Sequence, residues 1–325
     1  MQTTIIMNEQ KREKQTERGG ESMVAGVIEG ALGVPDAPKI IVITGPTATG
    51  KSQLSIRLAK LIGGEIVSAD SMQIYKCMDI GTAKPTPDEL AEVSHHLISV
   101  AHPSEEYSVK KYIDDAVSCI DDIFSRGKTP IIVGGTGLYI DSLLSGREFS
   151  ARNSDGLRKE IEAEYETKGG EFMLSVLSGF DPKSAEVLHP NDKKRIVRAV
   201  EVYKTTGKTI SCHNLETQLI PPRYEATKIA LMYSDRAILY DKINKRVEKM
   251  IEDGLEQEVR NLIKMNIPKN STAMQAIGYK EMLKAIEGEI LMSEAAQQIK
   301  QESRRYAKRQ LTWLRRDKTV QWLVW

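Results

Sequence analysis

The run Ile40-Ile41-Val42-Ile43-Thr44, followed at once by Gly45-Pro46-Thr47-Ala48-Thr49-Gly50-Lys51-Ser52, constrains this chain more than anything else in it. The first part is a continuous β-branched stretch, as expected of a strand buried on both faces of a parallel sheet. The second matches G-x4-G-K-[ST], the P-loop pattern. Its glycines let backbone N–H groups turn inward around an anion, and a helix opening at Lys51 adds the positive end of its dipole. Lys51 can set a point charge on a terminal phosphate, and the Ser52 hydroxyl can hold a Mg2+. Gly45 through Ser52 are therefore the expected di- or triphosphate-binding residues, with Ser52 as the metal ligand.

The same strand-then-helix pattern recurs. Leu54, Leu58 and Leu61 show helical spacing until Gly63-Gly64. Glu65–Ser68 reads as a short strand ending at Asp70, Val109–Ser125 as a helix, and Pro130–Val133 as a buried strand running into Gly134-Gly135-Thr136. Alternation at these lengths predicts an α/β fold, a P-loop NTPase-like parallel sheet flanked by helices. Ligands of such sheets sit at the carboxyl ends of the strands, so Gly50, Asp70 and Thr136 are expected to converge. From Gly146 the character changes to charged, helical and strand-poor. Residues 146–222 are predicted to be an inserted all-helical domain closed by Pro221-Pro222, with 38–145 and 223–325 forming the P-loop core. Thr227–Tyr233 returns as a strand. A long helix follows with Ile243, Val247, Met250 and Ile251 on one face and a bend near Gly254, and a basic helix spans Ser293–Leu314. Residues 1–37 are polar and glycine-punctuated, and are read as a disordered extension or as an upstream start in a mispredicted frame. A basic arm on nucleic acid is an alternative resting on composition alone.

Composition narrows the partners. A formal charge of +1 across 325 residues means that any nucleic-acid surface has to be a local patch. Cys77, Cys119 and Cys212 stand far apart without CxxC spacing, which fits neither a disulfide framework nor a zinc site and suits a reducing compartment. No apolar stretch approaches a membrane span and the N-terminus lacks an apolar h-region, so a cytoplasmic protein with no membrane partner is expected.

A kinase or ATPase usually carries a second acid at the end of a hydrophobic strand to hold Mg2+. Here Ile131–Val133 runs into Gly-Gly-Thr, and the acid at a strand end is Asp70 instead, which alone reads equally as a turn or helix N-cap residue. Its context is more specific. GPTATGKS, DSMQIY (70–75) leading to MDIGTAKP (78–85), GGTGLY (134–139), HPNDKKR (189–195), QAIGYKE (275–281) and RRYAKRQLTWLR (304–315) occur in that order. Together they make residues 38–320 resemble the tRNA dimethylallyltransferases, of the bacterial type.

That resemblance implies transfer of a dimethylallyl group from dimethylallyl diphosphate to the exocyclic N6 amine of the adenine 3′-adjacent to the tRNA anticodon. A diphosphate leaving group needs the same cradle as ATP but no activated water, so the missing second acid is tolerable. The resemblance assigns Asp70 as the base that deprotonates the amine, and Thr136 as a contact to the bridging oxygen where charge develops. Arg246 would join Lys51 and a Ser52-bound Mg2+ on the departing diphosphate; read alone, it is a solvated helix charge. Contacts to the anticodon stem-loop are implied for Asp70, Ser71, Met72, Gln73 and Thr136, for Arg158, and for Asn191, Asp192, Lys193, Lys194 and Arg195. Gln275, Ala276, Ile277, Gly278, Tyr279 and Lys280 complete that set. On residues alone, Asp192 is equally a helix N-cap, with Arg195 and Arg198 on one face. The tail from Ser303 sets Arg304, Arg305, Lys308, Arg309, Arg315, Arg316 and Lys318 against one acid, Asp317, with Tyr306 and Trp313 among them. It suits an RNA backbone track, or else Leu311, Trp313 and Leu314 pack inward and the charges are solvated.

Three departures from the family pattern stand out. Ser99 replaces an expected Asp, Cys77 replaces a glycine or aromatic with no consequence expected, and the cysteine-histidine extension of eukaryotic members is lacking. The adjacent His95 and His96 are read as structural, and the protein as a monomer. The rival readings are a transferase acting on free adenine nucleotides, a P-loop small-molecule kinase, and a non-catalytic nucleotide switch that grips RNA.

Overall fold

A strand with apolar side chains pointing both ways has to lie in the middle of a sheet covered on both faces. In the computed structural model, which describes residues 39–145, 155–218 and 220–325, that strand is β1 (Lys39–Thr44), with Ile40 to Thr44 all buried. Around it run β2 (Glu65–Ser68), β3 (His95–His96), β4 (Pro130–Val133), β5 (Glu225–Met232) and β6 (Gln321–Val324), in the spatial order β3-β2-β4-β1-β5-β6, every pair parallel. Ile41 and Ile43, with Ile66, Ile131, Ile229 and Leu231, pack against Leu54, Ile56 and Leu58 of α1 (Lys51–Ile62). The alternate residues Ile40, Val42, Val67 and Ile132 are equally buried on the opposite face. The remaining helices are α2 (Pro87–Glu92), α3 (Val109–Ser125) and α4 (Gly137–Leu144), then α5 (Asp155–Lys168), α6 (Gly170–Ser178), α7 (Pro182–Val187), α8 (Lys193–Thr206) and α9 (Ile210–Gln218). After β5 come α10 (Arg236–Glu252), α11 (Leu255–Lys264), α12 (Tyr279–Ile286) and α13 (Met292–Leu314). Among the described residues no helix is long and apolar enough to cross a membrane.

The chain divides into two compact units, one formed by the segments up to Leu144 and from Tyr224 onward, the other by Ser145–Arg223. The second unit is helical throughout its described residues, α5 to α9, around Ile161, Met173, Ile196, Val197 and Val200. Its buried Asp181 accepts from the amides of Ser184 (3.2 Å) and Ser211 (3.1 Å), tying the starts of α7 and α9 together. Residues 1–37, read above as an extension, and 146–154 of the expected insert lie outside the described residues.

Several expectations are amended. Leu61 fits the helical spacing of α1 yet is 78% exposed, and Ala59 and Ile62 continue the apolar face instead. The tail is not only a basic helix, because Gln321–Val324 forms an edge strand, clamped by an ion pair from Lys228 to Asp317 at 2.6 Å. The one acid of that tail is therefore engaged with the sheet. Cys77 holds a left-handed φ of 62°, a conformation that favours glycine, one of the two residue kinds expected there, so the departure carries a conformational consequence that was not expected.

The histidine pair forms β3, and its surroundings do contain an acid. His96 Nε2 lies 2.8 Å from Glu65 Oε2. The same buried carboxylate also takes Arg126 Nη2 at 2.8 Å and Lys128 Nζ at 2.7 Å. A carboxylate already shared by two cations is a poor metal ligand, and the cluster instead fastens the sheet edge. Hydrogen bonds from Arg126, then those from Lys128 and His96, outweigh burial and hold the Glu65 carboxyl well below the usual carboxylate range. A depressed native pKa stabilises the fold above the ordinary value of 4.5, and that contribution drains away as the pH falls below it. Glu65→Gln should cost about 2 kcal/mol at pH 7, the partners being partly solvated. Thermal melts should show the wild-type advantage shrinking below pH 4; an advantage that grew on acidification would contradict this account.

Candidate active site

The P-loop leaves β1 at Gly45, whose φ of 135° and whose approach to β5 exclude a side chain: a Cβ there would stand 2.5 Å from the Leu231 carbonyl oxygen. The turn closes on itself through Thr49 Oγ1, which donates to the Pro46 carbonyl at 2.8 Å. Lys51 Nζ also donates to loop carbonyls, those of Gly45 (3.0 Å) and Pro46 (2.7 Å). Burial, and next the Arg246 charge, push the Lys51 ammonium down to about 7, with Asp70 pulling the other way. Arg246 on α10 is lowered too, chiefly by burial. Two half-buried cations lining one pocket at the mouth of a helix make a site whose electrostatics favour a polyanion.

Asp70 follows β2 in a tight turn, its Oδ1 accepting from the amides of Met72 (2.9 Å) and Gln73 (3.3 Å). The turn-residue reading is thus correct as far as it goes, and it orients the carboxylate. Thr136, one strand over, accepts from the Ser71 amide at 3.1 Å and donates to the Ser71 hydroxyl at 3.3 Å. Its backbone amide reaches the Ala69 carbonyl at 3.3 Å, so the ends of β2 and β4 are laced together.

Two cavities meet here. The smaller, about 150 Å³, is lined by Thr47 to Gln53, Asp70, Gln73, Ala83, Gly135, Arg246, Tyr306 and Gln310. The larger, about 380 Å³, is lined by Asp70 to Met72, Gly81, Thr82, the inner face of α10, Gln275 to Ile277, Tyr279, Lys280 and four residues of α13. Thr47, Asp70, Arg246 and Tyr306 belong to both walls. Asp70 therefore stands where an anion pocket opens onto a roomier one faced by Ile243, Val247, Met250 and Ile299. Hard oxygen donors, the Ser52 hydroxyl and the Asp70 carboxylate, line the small cavity and suit Mg2+. Among the described residues no group of three or more His, Cys, Asp or Glu could hold a metal, so an ion would rely on anion oxygens for most of its ligands.

Other expected residues fall elsewhere. Tyr279 is buried, donates to Glu258 Oε1 at 2.6 Å and borders the larger cavity. Gln275 and Lys280 line the larger cavity. In the second unit, Arg158 pairs with Glu162 at 3.0 Å and with buried Glu201 at 3.5 Å, while Lys193 pairs with Glu166. Asp192 sits at the start of α8 but caps nothing there, since its Oδ2 accepts from the His189 amide at 3.1 Å. Asn191 donates its own amide to His189 Nδ1 at 3.2 Å. Lys194 and Arg195 occupy the first turn of α8. Arg304 points inward, donating to Asn244 Oδ1 at 2.6 Å over the Tyr240 ring, whereas Arg305 is exposed beside Glu302. Trp313 packs on Gly137 and donates to Asp141 at 2.9 Å.

Sequence reasoning missed Gln310 and the inward role of Tyr306. Gln310 is buried, accepts from the Thr47 amide at 3.0 Å and donates to the Gly135 carbonyl at 2.9 Å, bracing the P-loop against the loop after β4. Burial pushes the Tyr306 hydroxyl up to about 12 within hydrogen-bonding reach of Thr136. The four-residue spacing of Tyr306 and Gln310 on a helix otherwise rich in charge was the available signal.

Comparison with known proteins follows the same lines. The family model described as IPP transferase matches residues 73–317, and that described as isopentenyl transferase matches 38–103. The tRNA dimethylallyltransferase of Acetivibrio thermocellus is 49% identical over 87% of this chain and 91% of its own length. That of Carboxydothermus hydrogenoformans is 49% identical with the same coverage. A solved tRNA isopentenylpyrophosphate transferase from Bacillus halodurans is 41% identical, with a TM-score of 0.66 over 88% of this chain and 90% of that one. A solved eukaryotic dimethylallyltransferase acting on tRNA is 31% identical, with a TM-score of 0.76 over 89% of this chain and 74% of that one.

The depressed Lys51 ammonium is directly measurable. In ¹³C-labelled protein one lysine side-chain resonance should titrate near pH 7, vanish in Lys51→Arg, and move to higher pH on adding inorganic pyrophosphate, because a bound anion favours the charged form. Titration of every lysine near 10.5 would show that the pocket imposes no such strain.

Proposed function

The chain belongs to the IPP transferase family, and on that premise we propose that it transfers a dimethylallyl group from dimethylallyl diphosphate to the N6 amine of the adenine 3′-adjacent to the anticodon in tRNA. The observation that carries this reading is the position of Asp70 in the wall common to the two cavities. Diphosphate occupies the smaller cavity, against the P-loop amides, Lys51 and Arg246. The flipped adenine and the prenyl chain share the larger one, whose apolar wall on α10 and α13 suits a five-carbon chain.

The exocyclic amine is a weak nucleophile because its lone pair is delocalised into the ring. Attack on the diphosphate-bearing carbon forms the C–N bond as the C–O bond breaks, and the amine must lose a proton. Asp70 takes it on Oδ2, Oδ1 being engaged by the two turn amides. Thr136, held by Ser71 at the adjoining strand ends, is the residue proposed to contact the bridging oxygen, where charge builds. Lys51, whose ammonium form its surroundings disfavour, is held charged by the departing diphosphate, and the Arg246 guanidinium adds a second positive charge beside it. Ser52, with diphosphate oxygens, would hold Mg2+, which supplies further neutralisation of the leaving group. All these residues come from one unit of a single chain, which supports a monomer, and a tRNA substrate sets the reaction in the cytoplasm.

The test incubates the protein with dimethylallyl diphosphate and unmodified tRNA, with free AMP, and with ATP plus candidate acceptors. Diphosphate release dependent on tRNA supports the reading; release with AMP alone would favour a free-nucleotide transferase, and ADP formation a kinase. Asp70→Ala should abolish transfer while leaving tRNA affinity within a few fold, and unchanged single-turnover chemistry would defeat the base assignment. For RNA binding, the two neighbouring arginines separate. Neutralising exposed Arg305 should reduce the salt dependence of tRNA binding by about one counterion, while Arg304→Gln should lower the melting temperature instead.

A further inference from the structure

One carboxylate outside the reacting centre accepts an unusual set of hydrogen bonds. Glu258, on α11, takes the backbone amides of three consecutive residues: Asp79 at 2.6 Å and Ile80 at 2.8 Å on Oε2, and Gly81 at 3.0 Å on Oε1. The Tyr279 hydroxyl donates to the same Oε1 at 2.6 Å. Three successive amides turned toward one anion form a nest, a conformation that an isolated loop has little reason to hold. Here the anion is supplied by the protein itself.

What this nest holds in place is the wall of the larger cavity. Gly81 lies so close to the Tyr279 ring that a Cβ would stand 2.5 Å from it, and Gly81, Thr82 and Tyr279 all face that cavity. The same loop continues inward to the reacting centre. The carbonyls of Thr82 (3.3 Å) and Ala83 (3.1 Å) accept from Gln73 Nε2, and the Gln73 amide is one of the two that hold the Asp70 carboxylate. We propose that Glu258 is a positioning residue for the acceptor side of the site: it shapes the pocket for the flipped nucleobase by locking residues 79–81, without touching substrate. This rests on the reading of the larger cavity given above. None of these contacts reaches the P-loop itself; they touch the diphosphate pocket only at its border, through Ala83 and Gln73, so pyrophosphate affinity should change far less than the affinity for tRNA.

The experiment measures steady-state prenyl transfer, pyrophosphate binding and amide hydrogen exchange for wild type, Glu258→Gln, Glu258→Ala and Tyr279→Phe. Wild-type turnover on tRNA comes first, since its absence would defeat the functional reading rather than this one. In Glu258→Ala the amides of 79–81 should lose protection and kcat/KM for tRNA should fall at least tenfold, mainly through KM. Pyrophosphate affinity should stay within twofold. Glu258→Gln keeps one acceptor oxygen and should recover part of that loss, as should Tyr279→Phe, which removes one donor and leaves the nest. Should the alanine variant not fold, the glutamine variant carries the same comparison. Protection of 79–81 and tRNA KM unchanged in both Glu258 variants would overturn the proposal. So would a parallel loss of tRNA and pyrophosphate affinity, which would mean general unfolding.

Discussion

Two half-buried cations that repel each other are the constraint on which the first unit's site depends. Lys51 and Arg246 are pressed together at the carboxyl edge of a parallel sheet, where burial weakens each and their mutual repulsion weakens Lys51 further. Such an arrangement is costly to build, and only a rigid surround can maintain it. The loop carbonyls of Gly45 and Pro46 accept from the ammonium, and Asp70 lends a compensating charge. Several contacts in the first unit brace the loop that carries Lys51.

The bracing comes from parts of the chain remote in sequence. Gln310 joins the P-loop to the loop after β4. Trp313 seats α13 on α4 through Gly137 and Asp141, and Arg304 fastens it to α10 through Asn244. β6 then returns the chain to the sheet beside β5. A helix whose composition suggests an RNA track thus has two different faces. One is structural and closes the site; the other, with Arg305 and Lys308, is exposed to solvent, as are Arg315 and Arg316 just past the helix end.

Those two faces mark where sequence reading succeeds and where it stops. The β-branched runs and the P-loop glycines were legible because each imposes a local backbone that little else can satisfy. Period alone located α13, but periodicity does not tell an inward Arg304 from an outward Arg305, since both lie near the boundary of the apolar stripe and the decision belongs to Asn244, sixty residues earlier. Tyr279 shows the same limit: its place in QAIGYKE says nothing of the Glu258 carboxylate that holds its hydroxyl, twenty-one residues away. β6 escaped because four residues at an edge carry too little pattern to stand out against charged neighbours. Glu65 illustrates a further limit, as a charge opening an apolar strand gains its meaning only from Arg126 and Lys128 across the sheet edge.

The missing acid at the end of β4 also has a structural cause. The Ala69 amide donates to the Val133 carbonyl at 2.7 Å and the Thr136 amide to the Ala69 carbonyl at 3.3 Å, which draws the two strand ends into contact. A Cβ on Gly134 would lie 2.2 Å from the Ala69 carbonyl oxygen, so no side chain of any kind fits there. The approach that excludes an acid from β4 is the one that brings Thr136 against Ser71 and leaves Asp70 at the junction of the two cavities. A site that splits water needs its acid near the terminal phosphate, whereas one that deprotonates an incoming amine needs it on the far side of the reacting carbon. Moving the carboxylate from one strand end to the next makes that exchange, and the close packing of Gly134 on Ala69 fixes it in the backbone.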